Sequence, residues 1–111
     1  MRTPLPELPS PWHLENIDLT KQLHRELSEK HVLFGVPMKT IGRRQDNDDV
    51  LFELENQKHQ FVVVHLTWSS HTIADPTYPA IRFYKDWEDL YENRLLPDSR
   101  DFDVGNDAQG E

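Results

Sequence analysis

Leu19, Leu23 and Leu27 recur at every fourth position, and this spacing predicts an amphipathic helix over residues 17–31. Asp18 or Asn16 is placed to cap its start, and Glu26 and Lys30 stand in the favourable i,i+4 order. Gly35, after Val32, Leu33 and Phe34, offers a stop and a change of direction. The period then shortens to two. Residues 36–44 read as a poor strand with Pro37 at its start, 45–49 (QDNDD) as a polar turn, and 50–55 as a second strand. In that strand Val50, Phe52 and Leu54 point one way, and Leu51, Glu53 and Glu55 the other. A short connection over 56–59 leads to the strongest strand, 60–68. Val62, Val64, Leu66 and Trp68 share one of its faces, and Phe61, Val63, His65 and Thr67 the other. Apolar residues on both faces mark a central strand.

A proline-bearing loop over 69–80 separates this strand from a short one at 81–84. Asp86 is placed to cap a second helix over 87–96, with Trp87, Leu90, Tyr91 and Arg94 or Leu95 inward and Pro97 ending it. The tight connections force antiparallel neighbours. The expected class is α+β: a two-layer domain of about four mainly antiparallel strands, both helices on one face. The opposite face, carrying Phe61, Val63 and His65, then requires cover from elsewhere. Residues 1–13 form a proline-rich arm that should run extended, anchored by Leu5, Leu8 or Trp12; the Pro6–Pro9 spacing also suits a polyproline-binding partner. Residues 14–97 make the domain, and 98–111 read as an acidic, flexible tail.

The chain has 111 residues, enough for one domain. It has no cysteine, which removes disulfides, a thiol nucleophile and cysteine-ligated metals. Twenty acidic against twelve basic residues give a net charge of −8, which disfavours nucleic acid and anionic membrane and favours a basic protein partner. No apolar stretch resembles a signal peptide or a membrane span, so the cytoplasm is the expected compartment. No cofactor is expected.

Four groups of residues carry possible chemistry. His59, His65, His71 and Asp75 are a donor set for a borderline metal, with loop residues His71 and Asp75 folding back on His65. The plainer alternative is that His65 bonds a backbone or carboxylate partner at the core edge. Asp49 or Glu53, on the neighbouring strand, could orient His65 as a general base, with Thr67, Ser69 and Ser70 near in sequence; a cross-strand polar pair would look the same. Arg43 and Arg44 could grip an anion, although pairing with Asp46, Asp48 and Asp49 across the turn is the expected outcome. Finally, Trp68 and Tyr78, rimmed by Asp48 and Asp49, are the aromatics best placed for an interaction surface.

The stretch DDVLFELEN…FVVVHLTWS, with Tyr78–Pro79 and the WED helix beyond it, resembles a group of small bacterial proteins sharing a VHLTW-like strand and a downstream aromatic–proline pair. The matching positions are Asp48, Asp49, Val50, His65, Leu66, Thr67, Trp68, Tyr78 and Pro79, within roughly residues 31–95. That resemblance implies no activity and no residue role. In size, acidity and element order the chain is also similar to toxin-neutralising immunity proteins, by class and without a shared motif. The expected function is a noncatalytic protein-interaction domain. The alternative is a small enzyme or ligand-binding domain centred on His65.

Overall fold

The computed structural model describes residues 8–55 and 58–102. Its core is an antiparallel sheet in which five strands lie side by side in chain order. The strands are β1 (Trp12–Leu14), β2 (Met38–Arg44), β3 (Asp49–Leu54), β4 (Phe61–His65) and β5 (Ile81–Tyr84). Between β1 and β2 lies helix α1 (Thr20–Glu26). After β5 come α2 (Trp87–Leu90), a π-helical turn (Tyr91–Leu95) and further helical residues, 96–102. The α+β class and the antiparallel sheet are as the pattern predicts, with one strand more. That strand is β1, three residues where the proline-rich arm meets the domain, too short to carry a period of its own.

The helices divide between the two faces instead of sharing one. On the first face, Leu23 of α1 and its flanking Leu19 and Leu27 pack with Leu33 on Val50, Phe52, Val62 and Val64. On the second, Leu90 and Leu95 of the C-terminal helix join Leu8 and Trp12 of the arm over Leu51, Phe61 and Val63. The result is three layers. The cover that Phe61 and Val63 require comes from the chain's own two ends. Leu8 and Trp12 are the anchors of the arm, while Leu5 lies outside the described residues. Burying Leu90 and Leu95 fully contributes about 1.5–3 kcal/mol each.

Helix α1 is half the predicted length. Its last carbonyls are taken by the 69–80 loop: Ile73 N–H donates to Glu26 O at 2.9 Å and Thr72 Oγ1 to Arg25 O at 3.0 Å. The chain turns extended at Leu27 (ψ 126°), then reverses at Gly35, which takes the left-handed φ of 76°. Asp18 accepts the N–H of Thr20 at 2.9 Å, one residue outside the cap position at Leu19. Asp86 caps α2 as expected, accepting from Asp89 N–H at 2.9 Å.

Pro97 does not end the C-terminal helix; helical residues run through it to 102. Proline brings no N–H and crowds the carbonyl of the preceding turn. The π-helical turn absorbs this, with Leu96 N–H donating to Tyr91 O, five residues back. It also realigns the inner stripe. Leu90 and Leu95 would lie about 140° apart on a regular α-helix, yet both are fully buried on the same sheet face. Asp98 and Ser99, assigned to the tail by composition, are therefore half-buried helix residues, while 103–111 lie outside the described residues.

Candidate functional site at one end of the sheet

The strand register gathers most of the chain's polar chemistry at one end of the sheet. Trp12 pairs with Arg44, and Asp49 with His65. Arg43 pairs with Val50, which sets Arg44 beside Asp49, and His65 N–H donates to Ala80 O at 2.9 Å. Trp12, Arg44, Asp49 and His65 thus form one row across four strands, continued by Ala80 just before β5, on the face covered by the C-terminal helix. That helix closes the row with Arg94 and Asp98.

Within the row, His65 Nδ1 donates to Asp49 Oδ1 at 2.7 Å, and Arg94 donates to the other carboxylate oxygen at 2.5 Å. Asp98 accepts from Arg94 Nε and from the Trp12 indole N–H, each at 2.9 Å, and lies 3.2 Å from Arg44. Arg44 also forks onto Asp46 with two 2.8 Å bonds. That fork, followed by Asp98, holds the Arg44 guanidinium above its ordinary pKa, and it holds Asp46 below the usual carboxylate range. Burial works against the charge of Arg94, but Tyr84 and Asp98 more than offset it and the pKa is raised. Asp49 is therefore a buried, doubly engaged carboxylate and not part of an exposed rim. His65 keeps 54% of its side chain exposed.

On the opposite face at the same end stands Trp68, 42% exposed, with a left-handed φ of 58°. A β-strand pattern carried through to residue 68 would have placed it inward. The chain instead leaves β4 after His65, and Glu26 captures the turn. This fully buried carboxylate accepts Thr67 N–H at 3.0 Å and Thr67 Oγ1 at 2.8 Å on one oxygen. The other oxygen accepts Trp68 N–H at 3.0 Å and Gln22 Nε2 at 2.7 Å. Far from pairing with Lys30 at the surface, Glu26 is the internal post on which Trp68 is mounted. Beyond the backbone, the Trp68 indole N–H donates to Asp48 Oδ1 at 3.0 Å and Arg43 Cζ lies 5.4 Å from the ring centre.

The other expected site residues are dispersed. Tyr78 is exposed in the 69–80 loop, and among the described residues no ring contact joins it to Trp68. That loop is tied to the α1 side: Ser69 O accepts from Gln22 Nε2 at 2.9 Å, and Pro79 O lies 3.1 Å from Nε2 of the buried His31. His31 Nδ1 accepts Leu33 N–H at 3.0 Å, so Nε2 carries the proton and donates to Pro79. His71 and Asp75 bond within the loop, to Ser69 and Thr77, and His59 stacks on Phe83 at 5.1 Å. Among the described residues no three such donors converge on a metal-sized site. Of the hydroxyls near His65 in sequence, Thr67 is bonded to Glu26 and Ser69 to His71 O. Glu53, the other carboxylate considered for His65, lies instead 3.4 Å from Gln60 Nε2.

Glu26, His31 and Asp98 carry the architecture of this end without a signal in the sequence, where Trp12 is legible only as an anchor of the arm. Two contacts are legible there: Asp49 as one of two candidate partners of His65, and the pairing of Arg44 with Asp46 across the turn. Comparison of the chain with protein-family models, curated proteins and solved structures finds no match. No helix among the described residues is long and apolar enough to cross a membrane.

Proposed function

We propose that this chain is a noncatalytic protein-binding domain with Trp68 as its anchor and a basic protein as its partner. One observation carries this reading: a buried carboxylate and a left-handed backbone are both committed to presenting a large aromatic side chain at the surface. A tryptophan needed only for packing would be better placed inward, as Trp12 is. Left-handed backbone at a non-glycine residue costs of order 1–3 kcal/mol and persists only where its surroundings enforce it. Pre-organising an aromatic anchor lowers the entropy lost on binding. Asp48 beside it and the net charge of −8 would steer a basic partner inward and speed encounter.

The test is a quantitative pull-down from source lysate at low and high salt, with Trp68→Ala as the matched bait. Wild type is expected to retain one partner in stoichiometric amount. Trp68→Ala is expected to weaken binding by about 2–4 kcal/mol, thirtyfold or more, with the fold unchanged by circular dichroism. Association indifferent to both the substitution and to salt would overturn the proposal.

A further inference from the structure

On the face opposite Trp68, Asp49, Val63, His65, Arg82 and Arg94 line a pocket of about 200 Å³ beside β5. Its residue chemistry is specific. A carboxylate oxygen only accepts, so the bond to Asp49 places a proton on His65 Nδ1, and among the described residues no group bonds His65 Nε2. Arg94 is spent on Asp49, Asp98 and Tyr84. Arg82 is different: it is exposed, and among the described residues its guanidinium makes no ion pair and no hydrogen bond. It pairs with Val63, two residues along β4 from His65 and on the same face, within reach of a long side chain. In a chain of net charge −8, this pocket sets two arginines against one aspartate, and both oxygens of that aspartate are already engaged.

We infer that this pocket binds a phosphate group, free or as a small phosphate monoester. A phosphate monoanion offers both complements at once: its P–OH donates to His65 Nε2 while its charged oxygens take the Arg82 fork. Asp49, held by Arg94, acts as a positioning residue that fixes the imidazole tautomer. Sulfate has the same shape but no proton to donate, so it is the discriminating competitor, each phosphate's affinity being referred to its monoanion fraction at the working pH. The site is independent of Trp68 and lies on the other face of the sheet.

The experiment is an NMR titration of the full chain with inorganic phosphate, methyl phosphate and sulfate at constant ionic strength. It follows backbone amides together with the His65 ring. Both phosphates are expected to give saturable shifts at His65, Ala80 and Arg82, with sulfate about tenfold weaker or worse. Tighter binding of methyl phosphate would point to an ester ligand, and equal binding to free phosphate. Arg82→Gln should weaken phosphate at least about tenfold, whereas Lys85→Gln, equally exposed on the same edge, should leave it unchanged. His65→Ala should abolish the preference of phosphate over sulfate. Absence of saturable shifts, equal response to sulfate, or equal effects of the Arg82 and Lys85 substitutions would overturn the inference.

Discussion

Glu26 decides more than any other single residue. A carboxylate inside a core is costly unless its lone pairs are filled, and here four donors fill them. Replacing it with an isosteric amide would aim an N–H₂ group at backbone N–H donors. Glu26→Gln is therefore expected to cost about 2–3 kcal/mol, read as a lower urea midpoint with an unchanged slope. It should also free the 67–68 turn, so its amides should lose hydrogen-exchange protection. An unchanged midpoint would mean that the carboxylate is not the post it looks to be. From the sequence Glu26 had the signature of a solvated helix residue, because a period of four cannot show that a distant loop folds back onto it.

At the scale of elements, the proline-rich arm becomes an edge strand because β2 offers it a slot without a side chain. Gly42 lies at the bulge where the β2–β3 register shifts, opposite Leu14. A methyl group there would sit 2.5 Å from Leu8 Cδ1 and 2.6 Å from the His13 carbonyl oxygen. Backbone oxygen does not yield as a flexible side chain does, so Gly42→Ala is expected to undock β1 and to cost about 1–3 kcal/mol. Limited proteolysis should then cut within residues 8–14 at protease levels that spare the wild type; resistance equal to wild type would contradict this account. The C-terminal helix makes a parallel point. Its length could not be read through Pro97, since a π-helical turn removes the conflict that ordinarily stops a helix.

For the molecule as a whole, acid is the informative stress. Asp18, Asp46, Asp75 and Asp89 are all held below the usual carboxylate range, first by Thr20, Arg44, Thr77 and the Lys85 N–H respectively. Each folded-state pKa is lower than its unfolded value. Their stabilisation is thus complete above the unfolded pKa and is lost as pH falls through the folded one. The urea midpoint should accordingly drop below about pH 4, and Asp46→Asn should shrink that drop. A midpoint level from pH 6 to pH 2 would show that these turn-locking bonds do not couple to global stability. The chain's twenty acidic side chains set its negative charge, so conditions that protonate carboxylates should also weaken capture of a basic partner.

What the sequence determined by itself is local and periodic: the α1 stripe, four of the five strands, their antiparallel order and the Asp86 cap. Each follows from a side-chain period of two or near four joined to short turns, and such patterns survive in one dimension. The tertiary structure alone decided which face each helix covers, that the arm and the C-terminal helix complete the second core, and that Glu26 bonds Thr67 across 41 positions and Trp12 bonds Asp98 across 86. Those outcomes depend on which apolar face finds which other face and on lone pairs met by distant donors. Neither leaves a period, so neither can be read until the chain has closed on itself.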